Sequence, residues 1–434
     1  MLALPPSSPS FNAPLAYPCL ALASAGDPAL RREPPRGTPS VPVAGKLPGL
    51  DGLRAAAALA VFVDHAEQTQ EWVGLDHLDG NQMASLGRQG VEVFFVLSGY
   101  LITLLLLREK AAIGAVSLPR FYARRTLRIW PLYYLVVYLL WVVLPWAVRF
   151  APPPIDALSE IHTRTMGTPG DPRLSLYLLF LANFSFWLYP HVLCGAHLWS
   201  LGVEEQFYLV WPVIFRFVRW PLAVFGALVG LKVGLHMAVE YHRPLVSSFL
   251  SPDGTFLALE FSKMCHYEAM ALGAAAAHAA FHHRERVRRV AETWWAGLLT
   301  LPVLAACAGL AGWNQGFHGI DPITEVPQLG YALVILVVSH RAAPSRILDH
   351  RAVTWLGQRS YGFYMIHPLA MVLAMALLER GVALLPRGIR GGGTEHFVFY
   401  LTAFALAAAG ASLSYRFFET PLLRAKDRYF AANR

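Results

Sequence analysis

Apolar stretches about as long as a bilayer is thick recur along this chain, and arginine collects in the short segments between them. The stretch Gly90 to Leu107, GVEVFFVLSGYLITLLLL, carries Glu92 as its one charge. A helix needs about 20 apolar residues to cross roughly 30 Å of hydrocarbon, where backbone polar groups must be satisfied internally. The chain of 434 residues, 55% hydrophobic and 15% charged, is too apolar for an ordinary soluble protein. It reads as an all-α, polytopic membrane bundle.

The formal net charge of +8 could suggest nucleic acid, but the basic residues sit in short clusters between apolar runs, as cytoplasmic loops do. That pattern sets an expected topology. Met1 to Gly45, rich in Pro, Ala and Ser, reads as a disordered cytoplasmic tail, with no soluble domain before the membrane and no cleaved signal peptide. Leu50 to Ala66 leads outward, Gly90 to Leu107 returns, and Arg108 to Arg128 forms a basic internal loop. Ile129 to Val148 goes out again. Leu174 to Tyr189 is short and reads as re-entrant or interfacial, with polar Asn183 facing protein or water. The runs Leu198 to Val218, Pro221 to Ala238, Met264 to Phe281, Trp294 to Trp313, Gln328 to His340, Trp355 to Leu378 and His396 to Phe418 complete about ten spans. HHRERVRR, His282 to Arg289, is the strongest internal-loop signal. Both termini fall on the cytoplasmic side, with a membrane domain over 46–421 and a basic tail over 422–434.

Four cysteines, Cys19, Cys194, Cys265 and Cys307, show no CxxC spacing and no neighbouring ligand cluster, so no metal site is expected. A Cys194 to Cys265 disulfide is possible if both face the oxidising side.

Ionisable residues inside apolar helices are costly and mark functional sites. In LDGLRAAAALAVFVDHA, Arg54 and His65 lie eleven residues apart, which puts them on one helix face about 16 Å apart along the axis. Asp64 adjoins His65. In HLWSLGVEEQFYLVWP, Glu204 and Glu205 enter the membrane from the same side as His65 and reach a similar depth, with His197 at the segment's start. A carboxylate beside an imidazole fixes its tautomer and supports general-base work. Arg125 and Arg128, three apart at the cytoplasmic entry of a span, share a face and suit phosphate or pyrophosphate, though topology signal alone would also produce them. His367, in RSYGFYMIHPL, falls near the midplane, where an interhelical hydrogen bond and proton handling are both open. Ser98 and Gly99 read as small residues allowing close helix approach. No Walker A, GxGxxG or GxSxG pattern occurs.

The segments LDGLRAAAALAVFVDHA, GVEVFFVLSGYLIT, FYARRTLRIWPLYY, HLWSLGVEEQFYLVWP, SYGFYMIHP and YRFFETP, running in this order from about Leu47 to Pro421, resemble the acyltransferase type 3 family of integral membrane acyltransferases. The resemblance implies about ten helices and transfer of an acyl group, usually acetyl, from cytoplasmic acyl-CoA to a hydroxyl of a carbohydrate or another acceptor. The family's helix-one pair matches Arg54 and His65, its RxxR pattern matches Arg125 and Arg128, and its WSLxVE pattern matches Trp199 to Glu204, favouring Glu204 over Glu205. Many relatives carry a C-terminal periplasmic esterase-like domain; the chain stops at Arg434, so such an activity is expected on another protein.

The expected mechanism is acyl transfer across a bacterial cytoplasmic membrane. Arg125, Arg128 and Arg54 would hold the phosphates of acyl-CoA at the inner face. His65, oriented by Glu204 or Asp64, would deprotonate the acceptor or carry the acyl group as an acyl-imidazole. A transporter of acylated or lipid-linked saccharides is the alternative, disfavoured by the lack of evident inverted repeats. A catalytically inert scaffold for envelope assembly is the other, and it would leave these residues dispensable.

Overall fold

The computed structural model of the protein describes residues 47–72, 80–148, 170–241, 251, 254–255, 265–294, 296, 322–341, 347–382 and 393–424. The expected N-terminal tail, most of the expected span Trp294 to Trp313 and nearly all of the basic C-terminal tail lie outside the described residues. Regular structure among the described residues is helical throughout.

Helix α1 (Leu50–Trp72) sits inside the bundle, burying Leu50, Ala55, Ala58, Phe62 and Ala66. Helix α2 (Gly80–Ile113) is far longer than the apolar run that announced it. It ends where Gly114 takes a φ of 78°, the left-handed conformation that glycine adopts without strain at a helix C-terminus. Four residues after Gly114, α3 (Leu118–Tyr138) begins, with proline in its first turn, where a missing amide costs nothing. The expected basic loop over Arg108 to Arg128 is therefore only a short turn, and Arg124, Arg125 and Arg128 are helical. Glu109 clamps that turn, accepting from the Ser117 amide (3.0 Å) and from Arg124 (2.9 Å). Beyond Tyr138 the helix continues through a wider turn, Leu139–Val143, into Leu144–Val148.

The segment expected to be re-entrant is broken into α4 (Pro172–Leu178) and α5 (Ala182–Leu188), each far too short to span. Asp171 caps α4 by accepting from the Arg173 amide at 2.8 Å. Phe180, at a φ of 57°, makes the break, and its ring stacks on Tyr133 at 4.2 Å. Then follow α6 (Leu198–Phe217), α7 (Pro221–Tyr241), α8 (Tyr267–His282), α9 (Arg284–Ala291), α10 (Pro322–His340), α11 (Arg351–Gln358), α12 (Ser360–Val382) and α13 (Gly393–Ser414).

Close backbone approach fixes α2 against α8. A Cβ at Gly99 would collide with the Met270 carbonyl oxygen, and one at Gly273 with the Val96 carbonyl oxygen. Only glycine permits that crossing. Large apolar side chains instead remain uncovered on the periphery, with Leu231 70% and Leu401 59% exposed, as a lipid-facing surface requires.

Five helical stretches among the described residues are long and apolar enough to cross a membrane: Leu86–Ile113, Leu118–Ala147, Pro221–Val239, Ser360–Leu378 and Gly393–Arg424. The expected count of about ten is not reached there. Charge is the reason for α1, with Asp51, Arg54, Asp64 and Glu67, and for α6, with Glu204, Glu205 and Arg216. Shortness accounts for α8, 16 residues long, and for the apolar stretch Pro327–His340 of α10.

Candidate active site

Helices α1, α2, α3, α6 and α12 carry polar residues at two levels, α3 at the first only, and a cavity opens at each. The first holds about 350 Å³. Arg54, Arg108, Arg125 and Arg128 line it, together with Asp51, Glu204 and the hydroxyls of Ser98, Tyr208 and Tyr364. The second holds about 620 Å³ and is lined by His65, His197, Asp64, Cys194, Trp199 and Pro368, among others. Val91 and Tyr364 line both. The arginine chamber and the histidine chamber therefore meet at Tyr364. The eleven residues of α1 that separate Arg54 from His65 set the span between them, about 16 Å of helical rise.

In the arginine chamber Arg54 pairs with Asp51, one turn earlier, at 3.6 Å. Arg125 lies with its guanidinium 5.2 Å from the centre of the Tyr208 ring and 5.9 Å from that of Phe121. Cation–π contact with the two rings steadies the guanidinium without consuming its N–H donors. The Arg108 Nε is buried and has no hydrogen-bond partner among the described residues. Glu204 accepts from Ser98 Oγ at 2.7 Å and from the Tyr208 hydroxyl at 3.2 Å. Four guanidinium groups against two carboxylates leave the chamber cationic, the balance that an anionic ligand needs.

The expected pairing of His65 with Glu204 or Asp64 is absent. Asp64 instead accepts from Gln68 Nε2 at 2.7 Å, and Glu204 belongs to the other chamber. His65 is held by a second imidazole: its Nδ1 lies 2.7 Å from His367 Nε2, with the rings stacked at 5.0 Å. Of the two readings open for His367, the interhelical hydrogen bond is present. His367 Nδ1 in turn sits 2.7 Å from the Tyr364 carbonyl oxygen.

A carbonyl oxygen can only accept, so His367 carries its proton on Nδ1 and offers Nε2 as an acceptor. His65 must then donate from Nδ1. A buried imidazolium without a carboxylate partner is costly, and among the described residues no carboxylate lies within ion-pair distance of either ring, so both are neutral. His65 Nε2 is left bare, without a partner among the described residues, in a ring that lines the histidine chamber. Such a nitrogen can take a proton or attack a carbonyl carbon.

His197 stands beside this pair, its ring centre 5.3 Å from that of His367 and 6.4 Å from that of His65. Both of its ring nitrogens are buried without partners among the described residues. Its carbonyl accepts from the Tyr364 hydroxyl at 2.9 Å, and that hydroxyl also lies 2.6 Å from Ser200 Oγ.

Two other candidates lie away from both cavities. Glu205 accepts from Trp130 Nε1 at 3.0 Å, and Asn183 accepts from Gln206 Nε2 at 2.9 Å, bracing α5 against α6. Cys194 and Cys265 are both free thiols, so the possible disulfide is not formed. The sequence pointed away from Ser98, and gave Tyr364 and Arg108 no role. Ser98 and Tyr364 follow apolar or aromatic neighbours that mask them, and Arg108 was absorbed into a supposed loop.

Residues 47–416 match the family model described as an acyltransferase domain. The chain belongs to the acyltransferase-domain family. Its acyltransferase domain is 26% identical to the O-acetyltransferase OatA of Staphylococcus aureus over 404 residues, covering 89% of this chain and 58% of the relative. It is 28% identical over 394 residues to the peptidoglycan O-acetyltransferase OatA of Listeria monocytogenes, covering 87% of this chain and 56% of that one. A putative peptidoglycan O-acetyltransferase of Bacillus subtilis, YrhL, is 28% identical over 405 residues, with 89% and 56% covered. The chain thus spans somewhat more than half the length of the curated relatives it matches. No solved structure matches it.

Proposed function

We propose that this protein is a membrane O-acyltransferase that moves an acyl group, acetyl above all, from an acyl-CoA bound in the arginine chamber to a hydroxyl of a cell-envelope glycan reached through the histidine chamber. The observation that carries this reading is the shared wall: the cationic cavity and the cavity holding His65 abut at Tyr364. Arg54, Arg108, Arg125 and Arg128 would receive the donor's phosphates, and the long flexible arm of such a donor would carry the thioester toward His65. Peptidoglycan is the acceptor named for the relatives, and a sugar hydroxyl is the nucleophile this site would activate. In the cell the arginine chamber would open to the cytoplasm, with both termini on that side of the cytoplasmic membrane.

The bare His65 Nε2 serves either of two routes. As a base it takes the proton of the attacking hydroxyl while the oxygen bonds to the acyl carbon, the carbon–sulfur bond breaks and thiolate leaves. As a nucleophile it bonds to the acyl carbon first, expelling the thiolate; the hydroxyl oxygen then attacks that carbon, the carbon–nitrogen bond breaks, and the hydroxyl proton passes to the freed nitrogen. His367 orients the ring in both.

The test uses the purified protein in lipid nanodiscs with radiolabelled acetyl-CoA and peptidoglycan fragments. Label is expected in the glycan with the wild type and not with His65→Ala. A wild-type preparation that transfers no label, or a His65→Ala variant that transfers it fully, overturns the reading.

A further inference from the structure

The proton position on His65 depends on a carbonyl that the helix leaves open. In an uninterrupted helix the Tyr364 carbonyl would accept from the amide of residue 368. That residue is Pro368, inside α12, and it has no N–H to give. The vacated carbonyl is the one at 2.7 Å from His367 Nδ1. Proline in a helix interior costs stability, and here it sits directly after the histidine whose donor it accommodates.

We propose that Pro368 is a positioning residue: by withholding a backbone amide it reserves the Tyr364 carbonyl for His367 Nδ1, and so fixes the bare nitrogen of His65 on the side of the histidine chamber. His367 with its proton on Nδ1 can accept only at Nε2, and His65 can meet it only by donating from Nδ1. Supply an amide at position 368 and it competes for the carbonyl. His367 is then free to place its proton on Nε2, where it turns the His65 Nδ1 into an acceptor and puts the second proton on His65 Nε2. That tautomer neither takes a proton nor attacks.

Groups near the pair do not impose the tautomer by themselves. Asp64, on the same helix as His65, is bonded to Gln68. The Cys194 thiol donates weakly to the Pro368 carbonyl (3.5 Å), and the Tyr364 hydroxyl is engaged with Ser200 and the His197 carbonyl. The ring of His197 makes no hydrogen bond to either histidine. Among the described residues the backbone acceptors at the His367 end of the pair are the Tyr364 carbonyl, 2.7 Å from Nδ1, and the Phe363 carbonyl, which the helix's own ladder engages through the amide of residue 367.

The inference rests on the proposed acyl transfer for its kinetic consequence, but its structural claim is read without it. Full-length protein labelled with ¹⁵N-histidine and held in nanodiscs reports the protonated nitrogen of His65, assigned by the signal lost in His65→Ala. The wild type is expected to show a protonated Nδ1 and a bare Nε2. In Pro368→Ala the bare signal is expected to move partly to Nδ1, with kcat for acyl transfer about fivefold to tenfold lower and the donor KM unchanged, the share that one competing hydrogen bond redistributes. His367→Gln, whose side-chain oxygen can still accept from His65, is expected to keep several times the kcat of His367→Leu; this pair decides the matter if Pro368→Ala does not fold. Unchanged His65 signals and kcat in folded Pro368→Ala, or equal rates for the two His367 variants, overturn the proposal. Loss of acyl transfer in the wild type would instead sink the proposed function, while the nitrogen signals still judge this one.

Discussion

Tyr364 is the sharpest place to perturb the two-chamber arrangement, because two substitutions there separate its hydroxyl from its ring. In Tyr364→Phe the ring, and with it the wall, stays in place. The hydroxyl's two neighbours are not stranded, since Ser200 Oγ also lies 3.1 Å from the His197 carbonyl oxygen and can donate to it. The cost is then one net hydrogen bond, about 1 kcal/mol, or roughly fivefold in any step that needs the wall closed. Tyr364→Ala removes the ring and joins a cavity of about 350 Å³ to one of about 620 Å³. Truncating this half-buried aromatic costs less than the about 3 to 5 kcal/mol of a fully buried one, and it lets water reach the proposed donor's thioester from the acceptor side. The assay measures, in nanodiscs, labelled acyl-glycan against free labelled acid released from the donor, with thermal unfolding run in parallel. Phe should keep transfer within about tenfold of wild type at an unchanged ratio. Ala should shift the ratio strongly toward hydrolysis. A folded Tyr364→Ala protein with the wild-type ratio would show that the two cavities are not stages of one path.

Three further outcomes follow from the same geometry. Arg125→Lys keeps the charge but loses the planar, multidentate fork that lies over the Tyr208 ring, so the donor KM should rise about tenfold with kcat at saturation little changed; an unchanged KM would remove Arg125 from the proposed donor site. Gly273→Ala, whose new methyl collides with the Val96 carbonyl of α2, should lower thermal stability by about 1 to 3 kcal/mol, and an unshifted unfolding curve would contradict the close α2–α8 crossing. Peptide mapping of unreduced protein should recover Cys194 and Cys265 as separate thiols, whereas a linked peptide would contradict their placement.

How much of this was legible beforehand depends on what each signal encodes. The eleven-residue interval between Arg54 and His65 fixes a common face and a separation, and both chambers are indeed lined from α1, one around each residue. Hydropathy encodes depth, and it put Glu204 at a level compatible with His65. It does not encode the direction in which a side chain leaves its helix; Glu204 turns toward Ser98 of α2, and the imidazole that meets His65 comes from α12. Arginine clusters mark the ends of spans, but they do not say whether the backbone is loop or helix. Arg108 passes for loop sequence for that reason, and Arg125, although singled out with Arg128 as a phosphate fork, falls within the same expected loop; both stand on helices that reach past the apolar run. The five apolar spans among the described residues fall short of the expected ten for a related reason, since a helix shielded by its neighbours tolerates charges that a lipid-facing one does not.

The partner of His65 also bears on which donors the site can use. A carboxylate in that place would stabilise the imidazolium formed when the ring takes a proton, which is how triad enzymes cleave unactivated amides. It would also add a buried charge among apolar helices, where desolvation outweighs much of the gain. The neutral His367 avoids that charge and still fixes the tautomer, but it gives the imidazolium only a hydrogen bond. Charge in the arginine chamber cannot make up the difference, because Glu204 is committed to Ser98 and Tyr208 on the far side of the Tyr364 wall. A base so weakly supported is sufficient when the acyl group arrives already activated and the leaving group is a good one. Under the proposed acyl transfer, therefore, simple acyl esters or amides offered in place of a thioester should not be turned over by the purified protein, and their turnover at comparable rates would refute the argument.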